Sequence, residues 1–299
     1  MPAVVKGGLI LVKEGVRHSE VYREVLELLG RFGYASIDEV RYGLDLDQTK
    51  AWNRLWYLEH IGLIEQFKSH SVPASFYCLT PKGRQAARHF KVSDEVSAFT
   101  PCAYQPVSQQ HHRSIIKVHL GLRKLLGDRF LGWTTERTLK AEQEARMALG
   151  NGKRILDGEL FLNVKKTRYK AIGRGEMTPT GEFSFEKWRC GIEVELSLKS
   201  PERYRKQFKD LAGRVYDSLS KEQYYPMLIF FYTTPTLRDC LASHLKSGRY
   251  AFGDCVFYLA QIDEFLERLS EAPAEKFVGS QTKILTTSEI SEVKWVVTQ

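Results

Sequence analysis

The chain has 299 residues, of which 43% are hydrophobic and 27% are charged, and its formal net charge is +8. This length suggests about two domains, and the composition is typical of globular proteins with apolar cores. No apolar run reaches the roughly 18 residues of a transmembrane helix and no signal-peptide pattern opens the chain, so we expect a cytoplasmic protein with no membrane partner.

Three helices are predicted near the N-terminus. Apolar residues at helical spacing predict the first over 19–33. Ser36 and Glu39 form a capping-box pattern that opens a second, short helix. Asp47 then caps a third helix over 48–62.

The third predicted helix has two different faces. Its large apolar residues are expected to face the core: Trp52, Leu55, Leu58 and Ile61. Its polar residues are expected to face outward: Gln48, Thr49, Lys50, Asn53 and Arg54. In a helix-turn-helix, polar side chains near the start of the second helix contact base edges in the major groove. Asn53 and Gln48 would then pair with adenine, and Arg54 or Lys50 with guanine or phosphate.

A hairpin follows this helix. Two strands are predicted over 63–69 and 74–80, and a proline-led helix comes next. Three helices, a hairpin and a closing helix together resemble the winged-helix regulators. The resemblance implies binding to double-stranded DNA, with Lys68 and His70 of the wing contacting the backbone or the minor groove. The other interpretation is a winged helix used for protein contacts.

A polar stretch with two prolines, residues 91–107, shows no sustained period and predicts a linker. It would separate a winged-helix domain over 1–90 from a second domain over 108–272, with a C-terminal extension over 273–299. Residues 91–182 carry 16 basic and 10 acidic side chains, which is either a footprint for polyanions or a solvated face. The basic residues expected on the DNA backbone are Lys153, Arg154, Lys165, Lys166, Arg168 and Lys170.

The second domain is predicted to open with a helix over 108–127. We interpret its three histidines as ordinary helix residues rather than metal ligands: His111, His112 and His119. The other predicted elements are strands over 131–139, 153–163, 164–172, 192–199, 227–234 and 255–260, and helices over 201–219, 234–245 and 262–270. The alternation of strands and helices in the later part implies parallel pairing with right-handed crossovers.

The strand predicted over 192–199 carries paired acids. Its apolar residues would be buried: Ile192, Val194, Leu196 and Leu198. Its other face would carry Glu193, Glu195, Ser197 and Lys199. Two glutamates on one face of a strand repel each other, so we expect a positive group beside them, either a divalent cation or an Arg or Lys side chain.

Asp157 on one predicted strand and Glu193-Val194-Glu195 on another resemble the PD-(D/E)XK nuclease fold. The signature of that fold is an aspartate followed by an acid-x-lysine tripeptide on the neighbouring strand. Leu156 stands where the signature has proline, and Glu195 where it has lysine. Some enzymes of the fold use E-x-E, and Lys199 would supply the missing cation if the strand extends that far. The resemblance implies a mixed α/β fold with a mixed central sheet.

A longer string of residues resembles the replication-relaxation family of plasmid and mobile-element proteins, in which a winged helix precedes this motif string. The matching residues are Trp133, Glu136, Arg137, Asp157, Gly158, Glu193, Glu195, Leu196, Ser197, Lys199, Ser200, Arg203 and Tyr204. The resemblance implies a role in plasmid replication, or in DNA relaxation and mobilisation. The implied partners are double-stranded DNA, other replication or mobilisation proteins, and a second copy of the chain.

Two functions stay open for the second domain. In the first it is a metal-dependent endonuclease, in which Asp157, Glu193 and Glu136 hold one or two Mg²⁺ or Mn²⁺ ions. Glu195 would be a further ligand or a base, and Lys199 would offset phosphate charge. In the second it is a non-catalytic descendant of the fold, used for interaction or dimerisation. Glu193, Glu195 and Lys199 would then form a structural ion-pair cluster.

Overall fold

A computed structural model describes residues 20–68, 75–89, 106–147, 155–172, 176–217, 222–223, 225–247, 249–250, 252, 255–269, 273–278, 281–286 and 292–296. The chain divides into two compact units, Met1–Leu120 and Gly121–Gln299. The division falls inside a long helix, after the predicted linker at 91–107, most of which lies outside the described residues. None of the helices in the described part of the chain is long and apolar enough to cross a membrane.

The first unit has the element order of a winged helix. Its elements are α1 (Glu20–Phe32), β1 (Tyr34–Ser36), α2 (Ile37–Leu44), α3 (Gln48–His60), β2 (Ile64–Lys68), β3 (Ser75–Leu79), α4 (Pro81–His89) and the first part of α5 (Pro106–Leu126). The three strands form an antiparallel sheet in the order β1–β3–β2. The predicted helices and the hairpin are therefore confirmed, and the predicted tip with His70 lies outside the described residues.

Side-chain caps fix the starts of the two central helices of this unit. The Ser36 side chain and the Glu39 carboxylate form the predicted capping box at α2, and Glu39 accepts the Ser36 backbone N–H at 2.7 Å. At α3, Asp47 accepts the backbone N–H of Lys50 at 2.7 Å, and this bond lowers the pKa of the Asp47 carboxyl. Because the first turn of a helix has N–H groups without helical partners, these caps determine where α2 and α3 begin.

The start of α4 packs closely against Gly62 and Leu63, which lead into the hairpin. The Thr80 hydroxyl accepts the Gly83 N–H at 3.0 Å and donates to the Gly62 carbonyl at 2.7 Å. A Cβ on Gly83 would stand 1.8 Å from the carbonyl oxygen of Leu63, so this close approach requires glycine.

The second unit contains a mixed sheet of eight strands. They are β4 (Phe130–Thr135), β5 (Gly158–Ile172), β6 (Glu176–Glu195), β9 (Met227–Tyr232), β10 (Val256–Gln261), β11 (Pro273–Val278), β12 (Gln281–Thr286) and β13 (Glu292–Val296), whereas β7 (Tyr216–Asp217) and β8 (Glu222–Gln223) form a separate pair. The order is β12–β11–β10–β9–β6–β5–β13, and β4 also pairs with β5. The strands β6, β9 and β10 are parallel and the β5–β6 pair is antiparallel, which confirms the predicted mixed sheet.

The described helices of this unit are the last part of α5, α6 (Glu136–Met147), α7 (Pro201–Val215), α8 (Pro235–Lys246) and α9 (Ile262–Arg268). An apolar cluster joins α7, α8 and the central strands, and its members include Tyr204, Phe208, Leu211, Phe230, Leu241 and Phe257. Every residue of β9 is buried, as its continuous apolar run predicts.

Several predicted boundaries in this unit are wrong. The segments 153–163 and 164–172 contribute to one long strand, β5, and Asp157 immediately precedes it. Glu136 begins α6 instead of lying in a strand. The strand β6 ends at Glu195, so it does not extend to Lys199 as we predicted. After Glu195 the chain leaves the sheet, because α7 starts at Ser200, whose hydroxyl accepts the Arg203 N–H at 3.3 Å. Leu198 is therefore 56% exposed instead of buried.

Candidate nucleic-acid interface

The helix α3 is anchored by small and aliphatic residues on one side. Ala51, Leu55 and Leu58 are buried and lie on one face, at spacings of four and three residues. The predicted burial of Trp52 is wrong, since its side chain is 51% exposed. Ala51 takes the position against the core, and one residue later the helix has turned by about 100°, which carries Trp52 towards solvent.

Four of the five residues predicted to face outward are exposed. Gln48, Thr49, Lys50 and Asn53 are exposed, and Arg54 is half-buried. The start of α3 therefore presents amide, hydroxyl and ammonium groups to solvent, which are the groups that read base edges and phosphates.

An open groove of about 350 Å³ runs beside these residues. It is lined by Lys50, Asn53 and Arg54 of α3 and by Tyr22 of α1. The Arg54 guanidinium lies over the Tyr22 ring, 5.6 Å from its centroid, which restricts the orientation of the guanidinium. Sequence reasoning missed Tyr22 because it belongs to another helix, and the available signal is a tyrosine in the first turn of α1.

The other predicted DNA contacts are only partly described by the structure. Lys68 is exposed at the end of β2. The strand β5 contains the backbones of Lys165, Lys166, Arg168 and Lys170, but their side chains lie outside what the structure describes. The described residues do not include Lys153 and Arg154. These contacts stay predictions.

A buried ion pair holds α2, the helix that precedes α3. Glu39 is fully buried, and its carboxylate accepts the Arg113 Nε–H of α5 at 2.7 Å. Arg113 also lies 3.4 Å from the exposed carboxylate of Asp38. The capping carboxylate of α2 is thereby fixed from both its own helix and α5.

The histidines of α5 pack against aromatic rings of the same unit. The His112 ring stacks on Tyr34, with centroids 4.2 Å apart, and its Nε2 lies 3.4 Å from the Tyr34 carbonyl oxygen. The His119 ring meets Phe32 edge-on at 5.1 Å. This packing agrees with our interpretation of these histidines as structural.

In the second unit, the structure brings together several of the predicted acidic residues. Asp157, Glu193 and Glu195 are buried. The Asp157 carboxylate accepts the Val194 backbone N–H at 2.7 Å, which places it beside the strand that carries both glutamates. Glu195 accepts a hydrogen bond from the Lys199 ammonium and one from the Gln207 amide at 2.6 Å.

Lys199 and Gln207 complete a polar cluster at the start of α7. The Lys199 ammonium also donates to Gln207 Oε1 at 3.0 Å. It lies 5.9 Å from the centroid of the Tyr204 ring, and burial, with the nearby Glu195 carboxylate, raises the pKa of Tyr204 to about 12. The predicted pairing of Lys199 is therefore made with Glu195, and by a loop residue instead of a strand residue.

Sequence reasoning missed one buried acid, Glu159. It accepts a hydrogen bond from Arg189 Nε at 2.8 Å and another from the Tyr225 hydroxyl. The available signal was its position two residues after Asp157, which places both on one face of the strand predicted over 153–163. Glu136, by contrast, pairs with Lys140 one turn along α6 at 2.5 Å.

The Trp and Gly of the motif string have a packing role. Gly158 pairs with Thr135 across β4 and β5, and a Cβ on Gly158 would stand 2.2 Å from the Trp133 ring. The ring of this buried tryptophan thus occupies the space that any other residue at 158 would fill.

Asp157, Glu193 and Glu195 are the residues predicted to bind Mg²⁺ or Mn²⁺. Among the residues that the structure describes, no group of three or more His, Cys, Asp and Glu side chains is arranged to hold a metal ion. Glu195 already bonds an ammonium and an amide, and Asp157 a backbone N–H. Since Mg²⁺ needs near-octahedral oxygen ligands, these residues as placed do not fit it. Their roles as metal ligands and catalytic groups stay predictions.

No protein-family model matches the chain, and no curated protein matches it. A solved structure of a ZitR variant from Lactococcus lactis is 13% identical, with a TM-score of 0.23, and the match covers 44% of this chain and 72% of that one. The adhesin competence repressor AdcR from Streptococcus pyogenes is 12% identical, with a TM-score of 0.23, over 48% of this chain and 87% of that one. An apo form of the ZitR variant is 13% identical, with a TM-score of 0.22, over 47% and 86%.

These similarities are too low to assign a family. The winged-helix architecture of the first unit rests on its own element order, and the second unit is a mixed α/β sheet.

Proposed function

We propose that this protein binds double-stranded DNA through the exposed face of α3. The observation that carries the proposal is the set of exposed polar side chains at the start of this helix, which is the second helix of a helix-turn-helix. In proteins with this motif, that helix enters the major groove and its first residues reach the base edges.

The groove beside α3 supports a division of roles. Asn53 is exposed and presents an amide, which pairs with adenine through two hydrogen bonds. Arg54 lies on the Tyr22 ring, and the exposed Lys50 ammonium lies 3.0 Å from the exposed Asp47 carboxylate. Both cations line the same groove, and because an exposed ion pair is weak, a phosphate can replace Asp47 as the partner of Lys50. Gln48 and Thr49 extend the polar face to the beginning of the helix.

Replacing both Asn53 and Arg54 with alanine is expected to weaken duplex binding by at least about 30-fold, because each contact of this kind contributes about 1–3 kcal/mol and two are lost. Fluorescence anisotropy would measure this on a duplex selected from a random-sequence pool by the native protein. The matched control removes one amide and one guanidinium from the exposed side of α4, as Gln85→Ala with Arg88→Ala. Unchanged affinity in the α3 variant would place the DNA contact elsewhere.

We infer that the second unit is a non-catalytic module, and that Glu195 and Lys199 belong to a structural ion-pair cluster. The hydrogen bonds from Lys199 and Gln207 to the buried Glu195 support this reading over the nuclease reading. On the family resemblance, we propose that the protein acts in the replication or mobilisation of plasmids or mobile elements, in the cytoplasm, with other replication proteins or a second copy of itself as partners.

A further inference from the structure

Three rings form a row along the exposed side of α3. Trp52 and Trp56 are stacked with centroids 6.4 Å apart and planes 19° apart, and Trp56 and His60 with centroids 5.2 Å apart and planes 13° apart. The two tryptophans are 51% and 50% exposed. Their spacing of four residues keeps the rings on one side of the helix, and we refer to Trp52, Trp56 and His60 as the aromatic row.

The aromatic row lies beside the polar side chains to which we assign DNA binding. Helical spacing places Lys50 and Arg54 on another row of the same helix, with Thr49 and Asn53 between the two rows. One side of α3 therefore offers flat apolar rings, and the other offers cations. A nucleic acid strand has the matching chemistry, since it carries flat bases on one side and phosphates on the other.

The aromatic row cannot stack on the bases of an intact duplex. In a duplex the faces of the bases are covered by their neighbours, and a protein meets only their edges in the grooves. An unpaired base exposes its face, and stacking it on an aromatic side chain contributes about 1–3 kcal/mol. Two half-exposed tryptophans side by side also lack the stabilisation that full burial would provide. An exposed apolar patch of this kind indicates a surface that another molecule covers.

We propose that the aromatic row stacks on unpaired bases, so that α3 favours DNA in which a short single-stranded stretch interrupts or adjoins a duplex. This inference rests on the proposed function and names the kind of DNA that the same helix binds. Lys50 and Arg54 hold the phosphates, and the tryptophans hold the bases that have left the stack.

The test uses the full chain, a fully paired duplex, and the same duplex with a central run of unpaired thymines. The native protein is expected to bind the interrupted duplex at least about tenfold more tightly, the value for one stacked base. The variant Trp52→Leu with Trp56→Leu is expected to lose this preference while binding the paired duplex within about twofold of the native protein. Phe185→Leu, which removes an aromatic ring that is 56% exposed, is the matched control.

Intrinsic fluorescence provides a second measurement. Trp133 and Trp188 are buried, so in a Trp295→Phe background quenching of the emission by a thymine oligonucleotide is expected to depend on Trp52 and Trp56. Circular dichroism checks that the variant is folded.

The outcomes separate this inference from the proposed function. Equal affinity of the native protein for both duplexes would overturn the inference and leave DNA binding in place. An equal loss on both duplexes in the Trp variant would mean that the rings contact paired DNA, and would overturn it as well. A variant that keeps the preference but changes from dimer to monomer would show that a second copy covers the row. Failure of the native protein to bind any DNA would overturn both proposals.

Discussion

Replacing Arg113 with alanine is expected to lower the free energy of unfolding of the first unit by about 3 kcal/mol, because it removes one partner of a buried ion pair. Glu39 is fully buried, and Arg113 Nε lies 2.7 Å from its carboxylate. Without the guanidinium, the carboxylate keeps its hydrogen bond from the Ser36 N–H but loses its counter-charge. Chemical denaturation, followed by circular dichroism, measures the change.

The same arginine supplies the control for this prediction. Asp38→Ala removes the other carboxylate near Arg113, which is exposed, so we expect a change of no more than about 1 kcal/mol. Adding Glu39→Gln to Arg113→Ala is expected to recover part of the lost stability, since the buried group is then neutral. Equal effects of Arg113→Ala and Asp38→Ala would contradict the account of α2 as a helix held by a buried pair.

Replacing Lys199 with alanine is expected to destabilise the second unit by a similar amount, about 3 kcal/mol. Glu195 and Gln207 are buried, and the Lys199 ammonium pairs with the Glu195 carboxylate. Thermal or chemical unfolding measures the loss. Lys206→Ala, at an exposed position of α7, is the control and is expected to stay within about 0.5 kcal/mol of the native protein.

The Lys199→Ala variant also distinguishes a structural acidic cluster from a metal-binding one. If the cluster is structural, Glu195→Gln should rescue part of the stability of Lys199→Ala, and supercoiled plasmid with Mg²⁺ or Mn²⁺ should stay intact. If the carboxylates bind a metal ion, Lys199→Ala should leave the free energy of unfolding unchanged. In that case the native protein should nick or linearise the plasmid, and Asp157→Ala and Glu193→Ala should abolish the cleavage.

Local patterns were sufficient to predict the first unit. Its helices and hairpin are short. The helices α2 and α3 begin at the side-chain caps Ser36 and Asp47 and end near glycines. These signals act within a few residues of the chain, so a single sequence contains them in full. The polar face of α3 follows from the same periodicity.

The orientation of Trp52 could not be predicted by assuming that large apolar residues are buried. Apolar residues also make up much of any protein surface, so exposure of a tryptophan breaks no rule. Ala51 was the informative residue, because a small side chain lets α3 approach the core and fixes which face is buried.

The acidic cluster depends on contacts that local patterns do not contain. Alternation placed Glu193 and Glu195 on one face of a strand, and the structure agrees. It did not show that α7 would bring Gln207 to Glu195, or that Tyr225 would bond Glu159 across 66 positions of the chain. Such partners depend on how the helices pack on the sheet, which is a property of the whole unit.

The central claim is that the exposed face of α3 contacts DNA, and photocrosslinking tests it most directly. The selected duplex would carry bromodeoxyuridine at successive positions, and the crosslinked peptides would be identified by mass spectrometry. We predict crosslinks within Gln48–His60 that disappear when an excess of unmodified duplex is added. Specific crosslinks confined to the second unit, with none in α3, would contradict the claim.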